Sequence, residues 1–124
     1  MWLFTRYGFY SVVQARSIES GVVTNKPDPD NLMVRARVRQ HLVNLQMATP
    51  VLNASQILES SDNDYRYRIV IPKKTLLEIA QGLTEDIDYT NFKGICEQEG
   101  LVDESYCEAL HHIWAIHHQL QEED

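Results

Sequence analysis

Arginine occupies alternate positions in two short stretches: Arg35, Arg37 and Arg39 in LMVRARVR, and Arg66 and Arg68 in YRYRIVIP. Side chains two apart on a β-strand share a face. As strands, these stretches set Val34, Ala36 and Val38 opposite one arginine row, and Tyr65, Tyr67, Ile69 and Ile71 opposite the other. Burying an unpaired guanidinium costs several kcal/mol, so the apolar rows face the core and the arginines face outward. Guanidiniums ~7 Å apart repel by ~0.6 kcal/mol in water and ~2.4 kcal/mol at an effective dielectric of ~20. Such rows call for anions: counter-ions, a phosphate or nucleic-acid ligand, or carboxylates of the chain itself.

The second group with chemical potential is HHIWAIHH, from His111 to His118. Glu108 and His111 are three apart, a carboxylate–histidine spacing found on metal-binding bundle helices. His111 and His118 share a helical face, but two turns hold them ~10.5 Å apart, too far for one ion. Glu104, Glu108, His111, His118 and Glu122 therefore read as a solvated stripe, with His117 on the apolar face, and Glu108 and His111 are the only metal candidates. The acids of EDIDYTNF fit a helix–helix corner, with Asp88 and Thr90 as caps. No nucleotide loop, nucleophile elbow or paired catalytic carboxylate stands out, and no cofactor is implied.

The 124 residues carry a net charge of −7, unevenly spread. Residues 1–74 hold ten Lys/Arg and six Asp/Glu; residues 75–124 hold one lysine and twelve acids. The acidic C-terminal part could thus fold over the arginine rows and neutralise them. No apolar run approaches the ~20 residues of a membrane span. Cys96 and Cys107 form no CxxC pair, which reads as a reduced, cytoplasmic chain, with a disulfide as the alternative.

Strands are expected over about Phe4–Arg16, with a bend at Gly8, then over LMVRARVR, QILESS and YRYRIVIP. The segment SIESGVVTNKPDPDN, with its prolines, Gly and Asn/Asp, reads as a turn-rich connection. A short helix from Gln40 ends before Pro50. Thr75 and Glu78 have the spacing of a capping box opening a second helix. Asn91–Glu99 reads as a third helix stopped by Gly100, and Asp103 caps a fourth, whose apolar face is Val102, Tyr106, Leu110, Ile113, His117 and Leu120. The fold class is α+β, one domain over 1–124. Its frame is a permuted ferredoxin-like antiparallel sheet (strand-strand-helix-strand-strand-helix), with a helical C-terminal extension over about 88–121. LMVRARVR and YRYRIVIP are its central neighbours.

RYGFYSVV matches the aromatic strand signature of RNA-recognition motifs only at Tyr7, Gly8 and Phe9. With tyrosines facing inward, the central strands offer no stacking platform. The opening MWLFTRYGFYSVV, LMVRARVR, DYRYRIVIP and DIDYTNFK together resemble a widespread family of small uncharacterised bacterial proteins. That family opens with Trp-hydrophobic-Phe-Thr and carries an Ile-Asp-Tyr-x-Asn-Phe-Lys segment. The resemblance implies a complete bacterial cytosolic domain and brings no activity with it. The expected function is a non-catalytic interaction or assembly domain, binding a protein partner or a second copy. The alternatives are anion binding through Arg35, Arg37, Arg39, Arg66 and Arg68, and a small metal-dependent enzyme around Glu108 and His111.

Overall fold

The structure, a computed structural model, describes residues 1–123. It is α+β. Strands β1 (Trp2–Thr5), β2 (Gly8–Glu19) and β3 (Val22–Ala36) precede helix α1 (Arg39–Ala48) and a short 3-10 turn, Pro50–Leu52. Strands β4 (Leu58–Glu59) and β5 (Tyr67–Pro72) follow, then helices α2 (Lys73–Glu85), α3 (Phe92–Glu99) and α4 (Glu104–Glu122). The sheet is antiparallel throughout, in the order β1-β2-β3-β5-β4.

That order differs from a simple ferredoxin-like sheet, and the expected first strand is the reason. It breaks at Arg6–Tyr7 into a tight hairpin, with Thr5 paired to Gly8, so β1 adds an extra edge. The Thr5 hydroxyl closes the turn by accepting the amides of Tyr7 and Gly8 and donating to the Gly8 carbonyl.

The supposed connection Ser17–Asn31 is instead the outer part of a long β2–β3 hairpin. Ser20 and Gly21 both hold positive φ (52° and 79°), the backbone of a two-residue hairpin turn. The ribbon there has only two strands. A proline can thus turn its missing N–H to a free edge, and Pro27 is accommodated opposite Arg16. Register shifts between Gln14 and Ala15, and between Arg16 and Ile18, mark bulges along β2.

One face of the sheet carries the main core. Tyr10, Val12, Leu32, Val34, Ala36, Ile69 and Ile71 meet Leu42 and Leu45 of α1, Leu52 of the 3-10 turn and Ile79 of α2. Pro72 takes the N-cap position of α2, so Thr75 lies inside the first turn, buried, and the Thr75–Glu78 spacing makes no capping box. A second cluster joins Cys96, Tyr106 and Leu110 to Phe4, Phe9, Phe92, Ile95 and Val102. The expected caps hold for α4, where the Asp103 carboxylate accepts the Tyr106 amide, and for the α3 stop, where Gly100 is left-handed (φ 68°). Asn91, not Asp88 or Thr90, caps the start of α3.

Only the first half of α4 packs. Tyr106 and Leu110 are buried, whereas His117 and Leu120, expected on the apolar face, are exposed. Among the described residues, no helix is long and apolar enough to cross a membrane.

His41 ties the first turn of α1 to the β1–β2 hairpin. Its Nδ1 accepts the Phe9 amide, and its ring meets the edge of Tyr106 at 5.1 Å between centroids. Burial pulls its pKa below the ordinary 6.5, against the opposing charge of Asp103. The unfolded chain therefore binds the proton first as pH falls. Stability held above pH 6.5 is lost as pH drops through that value toward the lower folded pKa. Urea midpoints measured from pH 7.5 to 5 should fall, and His41→Gln should flatten the slope. An unchanged slope in that variant would place the proton uptake elsewhere.

Candidate functional site

The face of the sheet away from α1 and α2 holds the arginines. Ser11, Arg35, Arg68 and Leu58 form one cross-strand row over β2, β3, β5 and β4. Val13, Met33 and Val70 form the next. Arg35, Arg68 and Leu58 of the first row and all of the second line a groove of about 970 Å³, bounded by the β2–β3 ribbon on one side and Asp62–Tyr65 on the other; Ser11 is buried beneath it.

Within it, Arg35 and Arg68 are direct partners on the two central strands, as the alternation predicts. Arg35 donates from Nη2 to the Ser11 hydroxyl at 2.6 Å. Arg68 donates from Nη2 to the Tyr65 carbonyl at 2.7 Å, and its Nη1 lies 3.4 Å from the Met33 sulfur. The Nε–H groups of both are covered and find no acceptor among the described residues. A buried donor left unmet costs about 1–3 kcal/mol. Burial first, then the charges of Arg35 and Arg16, pull the Arg68 pKa below its ordinary value.

The other three candidates lie outside this pair. Arg37 follows the end of β3 and sits 4.3 Å from the Tyr65 ring centroid and 5.9 Å from that of Phe9. Arg39 opens α1 and is exposed. Arg66 precedes β5, pairs through Nε with Glu59 at 2.8 Å and lies over Tyr67.

Tyr65 reverses an expectation. It precedes β5, outside the alternation, so its buried ring lies on the arginine side with Arg35 4.5 Å from its centroid. Arg16 lines the groove as well, although strand parity from Ser11 and Val13 would turn it away. The bulges on either side of it supply the rotation, and nothing in GFYSVVQARSIE announces them.

The acidic C-terminal helices do not neutralise this face. They pack on its β1–β2 end through Phe4 and Phe9. Glu99 of α3 goes instead to Arg6, which was not among the candidates and also binds Asp88 and the Asp86 carbonyl of the α2–α3 connection; Glu97, Glu108 and Glu122 face histidines. Among the described residues, no carboxylate pairs with Arg16, Arg35, Arg37, Arg39 or Arg68. Asp28, Asp62 and Asp64 do line the groove. Asp28 spends its carboxylate on the Asn31 side chain and the Asp30 amide, which hold its pKa low.

Glu108 and His111 are not brought together. His111 meets Glu97 of α3 at 2.8 Å, and Glu108 faces His112 at 3.8 Å. Among the described residues, no group of three or more His, Cys, Asp or Glu side chains is placed to hold a metal ion. Both cysteines are free, and burial pushes the Cys96 thiol up to about 11, away from the reactive thiolate.

No protein-family model, curated protein or solved structure matches the chain.

Proposed function

We propose that this chain is a binding module whose open sheet face holds an anionic ligand at Arg35 and Arg68. One observation carries the reading: two adjacent guanidiniums on the central strands, with a third nearby, have no carboxylate partner among the described residues, in a chain of net charge −7. A guanidinium fork matches the oxygens of a carboxylate or phosphate and stays charged at any working pH. The rim acids Asp28, Asp62 and Asp64 repel an extended polyanion, which favours one compact anionic group over a nucleic-acid backbone. The β3–α1–β4–β5–α2 order, with β2 beside β3, supports reading the frame as a permuted ferredoxin-like sheet.

Titration calorimetry at low salt is the test, with inorganic phosphate as the probe. Saturable binding that weakens with salt is expected, and an Arg35→Gln/Arg68→Gln double variant should lose at least ten-fold while Arg39→Gln keeps parental affinity. A folded double variant that binds as the parent does, or a parent that binds no phosphate, would sink the reading. A second reading, attachment to a protein partner or a second copy through α4, is supported by the exposed Trp114, Ile116 and Leu120. Sedimentation at graded concentration tests its self-associating form.

A further inference from the structure

The groove is much larger than a lone anion requires. Its volume of about 970 Å³ is at the upper end of the ~300–1,000 Å³ that small-molecule sites occupy. Its chemistry is divided by row. Arg35 and Arg68 make the polar row, and about 7 Å along the strands Val13, Met33 and Val70 make a row with no polar side chain. Val13 is 37% and Val70 45% exposed, although both sit in the body of the sheet. Farther out, past Asp28 and Arg16, the Ile18–Val23 pair of the ribbon adds a separate apolar patch.

We propose that the groove takes a single-chain anionic amphiphile, its head group at Arg35 and Arg68 and its hydrocarbon chain along Val13, Met33 and Val70. The inference rests on the anion-binding reading above and adds the rest of the ligand. An aliphatic strip suits an alkyl chain. The aromatic ring of the groove, Tyr65, is buried against Arg35 and Arg37, so a nucleobase has no open face to stack on. A free molecule fits better than a bilayer surface. The strip lies in a groove between ribbon and loop, and a net charge of −7 repels an anionic membrane.

Calorimetry with acetate, hexanoate, decanoate and decyl phosphate, all below their aggregation concentrations, separates head from chain. Each buried methylene contributes roughly two- to four-fold in affinity. Decanoate should therefore bind at least ten-fold tighter than hexanoate, and decyl phosphate against decanoate reports which head group is preferred. Val70→Asn and Val13→Asn, each checked for folding by circular dichroism, should shrink the chain-length increment and leave phosphate binding unchanged. If decanoate gains nothing over acetate while phosphate still binds through Arg35 and Arg68, the amphiphile is wrong and the anion site stands. If decanoate binds tightly but ignores the Arg35→Gln/Arg68→Gln change, the groove is a plain apolar site and both ideas fall. If the parent binds no phosphate, the anion-binding reading fails and takes the amphiphile with it.

Discussion

Gly8→Ala is expected to cost about 3–5 kcal/mol of folding stability, combining backbone strain with overpacking. Gly8 opens β2 at φ +145°, a backbone that side-chain-bearing residues rarely adopt. An alanine Cβ there would stand 2.3 Å from the His41 Cγ and 2.5 Å from its Cβ. The imidazole cannot retreat cheaply, since it accepts the Phe9 amide and meets Tyr106 behind it. Relief would require the hairpin turn to lift away from α1, or α1 to lift from the sheet. Urea unfolding measures the loss, and Gly82→Ala is the control. Gly82 sits on α2 with open space around its would-be Cβ, so that change should be neutral or slightly stabilising. A Gly8→Ala loss under about 1 kcal/mol would mean that the turn and α1 are not locked together.

Arg6→Met should cost about 2–4 kcal/mol, near the range for breaking a buried ion pair but discounted for solvent. Its side chain is 12% exposed and binds three acceptors from the C-terminal part: the Asp86 carbonyl at 2.6 Å, Asp88 at 2.9 Å and Glu99. Asp88 is 71% exposed and contributes little; Glu99, at 24%, is left largely desolvated without its partner. Tyr89 adds a ring 5.2 Å from the guanidinium. Hydrogen exchange should show α3 and α4 losing protection before the sheet does, because this arginine ties them to the β1–β2 turn. Arg6→Lys should recover only part of the loss, since an ammonium cannot span the same fork. Equal loss of protection across the whole chain would argue against a separable C-terminal attachment.

The parts of this fold legible in the sequence are those governed by local chemistry. Alternation in LMVRARVR and YRYRIVIP gave the side on which Arg35 and Arg68 stand, and Pro50, Gly100 and Asp103 marked helix ends that the structure keeps. What escaped depends on partners distant in sequence. PDPD reads as loop unless one sees that only two strands pair there. Thr75 and Glu78 have the spacing of a cap, yet the helix starts three residues earlier because β5 runs straight into it at Pro72. Arg16 reaches the groove through bulges, Tyr65 through a bend before β5, and neither leaves a periodic signal. Charge totals left open whether the C-terminal acids cover the arginine rows. Location decided against it, since Phe4 and Phe9 seat those helices at the sheet's end, where Arg6 receives Asp88 and Glu99.

The central claim is that Arg35 and Arg68 together form an anion site on the exposed side of the sheet. Its most direct test is the side-chain Nε–Hε spectrum of the arginines, followed by NMR while inorganic phosphate is added at low salt. The resonances of Arg35 and Arg68 should move first and saturate together with the Ser11 amide, while those of Arg39 and Arg66 stay in place. Uniform small movements of every arginine, or none at Arg35 and Arg68, would contradict it.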